Sequence, residues 1–174
     1  SLHGKDCAAF FHENDKLLAW INRQPLARVV TCLGDGHDGI WNLITQIGNS
    51  FQRREVLDWY HLIENLNKVG GSNKLLRRVE SYLWQGESDL ALAEFKGSQR
   101  KAVVNFEKYV QKHRERTPDY GLYQYLGICI GSGSVESKIK QIGARIKITG
   151  AQWKAENVPQ LLKLRCAYLN KAIA

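Results

Sequence analysis

The sequence predicts an α/β fold, mainly α by content, with about two parallel strands in its first third and a large all-helical block behind them. Three observations carry that expectation. Two short strand-like runs, residues 27–33 and about 54–58, the second centred on Val56-Leu57, flank a stripe of helical period. From Tyr60 the apolar residues keep helical spacing to about residue 114. A turn rich in glycine and serine, Gly131-Ser132-Gly133-Ser134, then opens a basic helix.

Asn14-Asp15 ahead of Lys16-Leu17-Leu18-Ala19-Trp20-Ile21 reads as a cap followed by amphipathic turns, so residues 14–23 are expected to be helical until Pro25 breaks them. Residues 27–33 hold a Val29-Val30 pair and no apolar/polar alternation, the pattern of a strand buried on both faces. After Gly34-Asp35-Gly36, Ile40, Leu43, Ile44 and Ile47 fall at i, i+3, i+4 and i+7, the stripe of a helix packed on a sheet, and Gly48-Asn49-Ser50 ends it. A second strand reached through a strand–helix connection should run parallel to the first. That arrangement brings Asp35 and Asp58 to one edge of the sheet, where such folds bind ligands. His61, Leu62, Glu64 and Leu66 belong to a helix closed by Gly70-Gly71, and Ser72-Asn73 caps the next through Leu75, Leu76, Val79, Tyr82 and Leu83. Helices near 87–95 and 98–114 follow, stopped by Pro118, and no internal repeat is present.

With 174 residues, 44% of them hydrophobic, the chain can build one ordinary domain with a core. No apolar stretch approaches the roughly 18 residues that cross a bilayer, and no basic-then-apolar leader is present, so the expectation is a cytoplasmic protein with no membrane partner. Cys7, Cys32, Cys129 and Cys166 stand far apart without a Cys-x-x-Cys pair, which reads as buried reduced thiols rather than a zinc site or disulfide framework. The net charge of +8 is concentrated, because residues 134–174 carry eight Lys or Arg against Glu136 and Glu156. A basic lobe beside an acidic site suits a nucleic-acid partner, since phosphate contacts supply most of the affinity; a solvated Lys-rich surface is the alternative.

Two acids a hundred residues apart stand out: Asp35 at the end of the first strand, and Glu136 in the opening turn of the basic helix. Carboxylates suit hard cations, and two such ions on a phosphodiester can activate a water and steady the leaving 3′ oxygen. Along the basic helix Val135, Ile139, Ile142 and Ile146 form an apolar stripe, while Glu136, Lys140, Gly143 and Lys147 share an adjacent flank. That flank offers an acid, two cations and, at Gly143, no side chain where a DNA backbone could approach. Each feature also has a plainer reading. Asp35 can cap the following helix, Glu136 and Lys140 can form a surface pair worth roughly a few tenths of a kcal/mol, and Asp58-x-x-His61 can be a helix cap with a half-buried histidine. His3, His12, His37 and His113 show no ligand spacing.

Taken in order, Gly34-Asp35-Gly36 with Ile40-Trp41 after it, Asp58-Trp59-Tyr60-His61 one strand later, and the Gly-Ser-Gly-x-Val-Glu-Ser run at 131–137 resemble DDE-type insertion-sequence transposases of the ISKra group in the Mutator-like superfamily. The resemblance runs from about Leu33 to Asn170. It implies the C-terminal part of an RNase H-like core, divided into residues 1–68 (partial core with the second acid and the Asp-x-x-His motif), 69–130 (helical insertion) and 131–174 (basic helices with the last acid). It implies Asp35, Glu136, Asp58 and His61 as catalytic residues, with Asp35 and Glu136 on Mg2+ or Mn2+. It further implies double-stranded DNA at transposon terminal repeats as the partner of Lys138, Lys140, Arg145, Lys147, Trp153 and Arg165, with room for a homodimer. Trp153 ends Gly150-Ala151-Gln152-Trp153, similar to the family's Gly-x-x-Trp segment, and an aromatic there can stack on an unpaired base. Core packing is its alternative, and it is the role read for Trp20, Trp41, Trp59 and Trp84.

In that family the first catalytic Asp lies on an earlier strand, with two more strands before the Gly-Asp-Gly element. Upstream of Asp35 this chain offers about one strand and one helix, and Asp6 and Asp15 sit in helical or capping contexts. With Ser1 first and no Met anywhere, the expectation is a fragment whose parent cleaves and joins DNA and which is inactive alone. Two other functions compete. One is a non-catalytic DNA-binding remnant that interferes with an intact transposase. The other is a metallophosphoesterase, suggested by Gly34-Asp35-Gly36-His37-Asp38 but lacking the upstream Asp-x-His and downstream Asn-His that such enzymes need.

Overall fold

Two runs too short to bury themselves pair into a small sheet, and helices cover it. The computed structural model describes residues 6–173 and is predominantly helical. Its sheet joins β1 (Val30–Gly34) to β2 (Arg53–Leu57) through α2 (Asp38–Ile44). The Val30 amide donates to the Gln52 carbonyl at 2.7 Å and the Asp58 amide to the Gly34 carbonyl at 2.8 Å, so both strands advance in one direction. β1 starts three residues later than the pattern predicted, because Val29 is 45% exposed and buried on neither face. In α2 it is Trp41 and Ile44 that are buried, whereas Ile40, which the expected stripe placed inward, is exposed.

The remaining elements are α1 (Asn14–Asn22), α3 (Trp59–Val69), α4 (Asn73–Trp84), α5 (Ser88–Ala93), α6 (Lys101–Lys112), α7 (Tyr120–Tyr125), α8 (Gly133–Ile146) and α9 (Val158–Leu169), with single 3-10 turns at Arg114–Arg116 and Ala155–Asn157. α7 has no counterpart in the sequence reading. It starts two residues after Pro118, where the Asp119 carboxylate accepts the Leu122 amide at 2.8 Å as an N-cap.

The chain divides into two compact units. A sheet unit comprises Thr31–Ile44 and Arg53–Ser132, so the strands and the helices α2 to α7 cluster together. A terminal unit comprises Thr45–Gln52, the described residues up to Val30, and those from Gly133 onward.

The sheet unit has a continuous core. Leu62, Leu66 and Val69 of α3, Val79 and Leu83 of α4, and Val103, Phe106 and Val110 of α6 are all at most 3% exposed. Full burial of a side chain of this size stabilises by roughly 1.5–3 kcal/mol. At the carboxyl end of β2, Trp59 meets Trp84 and Tyr120 with ring centroids 4.8 Å apart in each case, and the Tyr120 hydroxyl donates to the Leu57 carbonyl at 2.8 Å. Trp41 and Trp59 are buried, as expected for core tryptophans, while Trp20 and Trp84 are only half-buried.

The terminal unit has a thinner core, in which Leu18, Ile142 and Cys166 are the buried apolar residues of its helices. Its pieces are joined by polar clamps. Asn170 pairs with both the amide and the carbonyl of Cys7 at 2.9 Å, and Asn22 donates to the Gln46 carbonyl at 3.0 Å and accepts the Gly48 amide at 2.9 Å. The expected apolar stripe of α8 is largely uncovered: Ile142 is buried, but Val135 is 56% and Ile139 62% exposed, where they line a groove with Ala8, Ala9 and Trp20. Helical period therefore placed these residues on one face without guaranteeing a neighbour to bury that face. No disulfide joins the four cysteines, and Cys129 is exposed, unlike the buried thiol the apolar run suggested. No helix among the described residues is long and apolar enough to cross a membrane.

Candidate functional site

Asp35 stands at the carboxyl end of β1 on an exposed turn. Its Oδ1 accepts the His37 amide at 2.9 Å, and its own carbonyl accepts the Tyr109 hydroxyl at 3.0 Å, so the turn is held from both sides. Both flanking glycines have packing reasons. A Cβ at Gly34 would stand 2.8 Å from the Trp41 ring; one at Gly36 would stand 2.5 Å from the Tyr109 ring, and Gly36 has φ +97° besides. Gly-Asp-Gly thus makes room for Trp41 and Tyr109 as well as turning the chain. His37, the other residue of the metallophosphoesterase reading, accepts the Gly39 amide at Nδ1 over 3.1 Å.

Asp58 lies one residue past β2 and is 1% exposed. Its Oδ1 accepts the His61 amide at 3.0 Å as the N-cap of α3, with His61 Nδ1 at 3.1 Å but poorly aligned for a hydrogen bond. Its Oδ2 accepts the Ser132 amide at 2.5 Å. Burial pushes this carboxyl upward, and the hydrogen bonds from His61 and Ser132 more than offset it, leaving the group below the ordinary Asp range. The His61 side chain is 34% exposed, with Nδ1 turned toward Asp58.

Sequence reasoning missed the residues that hold this edge. Tyr109, on α6, is raised to about 12 by burial and by the charge of Asp35, so it stays a protonated donor. His113, 1% exposed, lies between Trp41 and Tyr109 with ring centroids 5.8 and 5.1 Å away. Arg116 stacks 4.2 Å over the Trp41 ring and donates to Glu55 at 2.8 Å. Helical spacing near 98–114 marked Tyr109 and His113 as helical but gave no sign of the turn they would meet, and Arg116 lies beyond that range. His12 adopts φ 55° and joins none of this, and His3 lies outside the described residues.

In the terminal unit Glu136 is exposed in the first turn of α8, where a carboxylate is favoured by the helix dipole. Lys140 and Lys147 are exposed along the same flank, and open space lies in front of Gly143. Lys138 is half-buried and Arg145 exposed in the last turn. Arg165 is committed to internal contacts, donating to the Gln141 carbonyl at 3.2 and 3.3 Å and stacking 5.0 Å over Tyr168. Trp153 is 44% exposed, and its indole N–H caps the end of α8 by donating to the Ile146 carbonyl at 2.8 Å.

By donor chemistry Asp35 fits a hard divalent cation, since it is an exposed carboxylate on a fixed turn, and Asp58 does not, because both its oxygens are already occupied. Among the described residues no group of three or more His, Cys, Asp or Glu is gathered for a metal. No family model matches this sequence, and neither the curated proteins nor the solved structures contain a chain that matches it.

Proposed function

We propose that this chain is the part of a DDE-type insertion-sequence transposase catalytic domain that carries the second and last acids, within an RNase H-like core whose parent cleaves and joins DNA at element ends. One observation carries the reading furthest: Asp35 is an exposed carboxylate at the carboxyl end of a parallel strand, the position from which α/β sheets contact ligands. The order of the three motifs along the chain supports it as well. Within the sheet unit Asp35 is the residue that would hold Mg2+ or Mn2+, which when bound activates a water and stabilises the leaving oxygen. Lys138, Lys140, Arg145 and Lys147 bind backbone phosphates of duplex DNA, and Gly143 lets that backbone come close. Cytoplasmic residence and assembly with a second transposase chain belong to the same proposal.

With two of the three acids, the chain alone binds DNA without cutting it. The test is a duplex carrying terminal inverted repeats, assayed with Mg2+ or Mn2+. The expected result is binding that weakens steeply with salt, no cleavage, and Mn2+ affinity reduced at least tenfold by Asp35→Asn. Robust cleavage abolished by Asp35→Ala would overturn the inactive-fragment claim, and no binding at low salt would sink the reading. The exposed basic flank of α8 favours a second reading, a non-catalytic DNA-binding remnant. DNA binding with no Mn2+ affinity at Asp35 would select it.

A further inference from the structure

We propose that Asp58 is a positioning residue, a buried carboxylate that ties the strand end beside Asp35 to the segment from which the Glu136 helix departs. Four contacts within the sheet unit meet at this point. The Asp58 amide donates to the carbonyl of Gly34, the neighbour of Asp35, at 2.8 Å, and the Trp59 amide donates to the Ile130 carbonyl at 2.9 Å. Oδ1 caps α3 through the His61 amide, and Oδ2 holds the amide of Ser132, the last residue before α8. A bulky ring completes the joint, because Tyr60 packs where a side chain at position 131 would stand and only Gly131 leaves it room.

The residue type follows from this double duty. Serine or threonine would cap α3 equally well with one acceptor, without the desolvation a buried charge requires. Asparagine has one acceptor and one donor, and its NH2 would face either the His61 or the Ser132 amide, donor against donor. Only a carboxylate presents two acceptors to two amides, one three residues and the other 74 residues along the chain from Asp58. The Asp-x-x-His spacing then has a physical meaning. The cap fixes the first turn of α3, and that turn sets His61 Nδ1 at 3.1 Å from Asp58 Oδ1 on a side chain that is one-third exposed.

The inference rests on the proposed transposase reading only for what the tied segment carries; the tie itself is read without DNA. In the wild-type protein, the NMR signal of the Ser132 amide should shift on acidification with the same midpoint as the Asp58 carboxyl carbon, a midpoint below the ordinary Asp value. Asp58→Ser keeps the α3 cap but cannot reach Ser132. It should leave α3 amides protected while Ser132 exchange rises at least tenfold, with any loss of Mn2+ affinity smaller than that caused by Asp35→Asn. A Ser132 amide that ignores the Asp58 titration, or exchanges as fast in wild type as in Asp58→Ser, would overturn the proposal. Loss of Mn2+ affinity in Asp58→Ser equal to that in Asp35→Asn, with Ser132 still protected, would overturn it too by making Asp58 a ligand. If wild type takes up no Mn2+, the metal reading fails, and the Ser132 amide still decides the tie.

Discussion

The Tyr109 hydroxyl reaches across 74 residues of chain to donate to the Asp35 carbonyl at 3.0 Å. The conformation of the Asp35 turn is therefore set by α6 as much as by its own glycines, and the helical block supports the sheet edge directly.

That relationship predicts a graded loss at the turn. Tyr109→Phe removes one hydrogen bond and should lower stability by about 1 kcal/mol. Gly36→Ala forces a Cβ into a left-handed backbone and against the Tyr109 ring, and should cost on the order of 1–3 kcal/mol. Urea midpoints check both. A Gly36→Ala midpoint equal to wild type would mean the turn is not held as described.

Gly143 should behave in the opposite way. Nothing lies within 4 Å of a Cβ placed there, so Gly143→Ala should raise stability by roughly 0.5–1 kcal/mol through helix propensity. If a DNA backbone approaches at this point, the same variant should bind duplex DNA at least threefold more weakly. Thermal melts paired with fluorescence anisotropy read the two effects, and improved stability with unchanged DNA affinity would remove Gly143 from the interface.

His113 predicts a pH dependence. Burial, then the charges of Arg116 and Lys112, hold its imidazole below its ordinary value of 6.5; Asp38 and a contact with the Gly36 backbone act the other way, too weakly to offset them. Tyr109 also faces the ring but remains neutral in this range. A depressed folded value means that the unfolded chain takes up the proton first. Stability from this residue is complete above pH 6.5, declines as the pH falls from 6.5 toward the folded value, and levels off below it. His113→Gln should flatten that part of the profile in urea titrations from pH 7.5 to 5. An unchanged slope would show that His113 is not its source. The Asp58 contribution is distinct, since its depressed carboxyl releases stability only as the pH falls below the ordinary Asp value of 3.8.

Lys140 and Lys147 predict a salt signature. If each neutralises one phosphate, each Lys→Ala change should reduce the slope of log affinity against log salt by about 0.9. Lys74, exposed on α4, serves as the control and should leave the slope unchanged. Equal effects at all three positions would reduce the DNA contact to diffuse charge.

Much of the architecture was legible because it is written locally. Helical period, the Ser72 and Asp58 caps and the Gly70-Gly71 stop depend on residues within a few positions of one another, and the parallel order of the two strands follows from the helix that connects them. The sequence by itself also placed Asp35 on a turn and Glu136 at the start of a helix. Only the tertiary structure decided what surrounds them. It made Asp58 a filled, buried acceptor and Asp35 an exposed one, put Tyr109 and His113 behind the turn, and left Val135 and Ile139 uncovered on a helix whose spacing promised burial. The physical reason is range: caps and periodicity act within one or two helical turns, whereas burial and the pairing of a carboxylate with a distant amide depend on which elements pack together, and no short stretch of sequence records that.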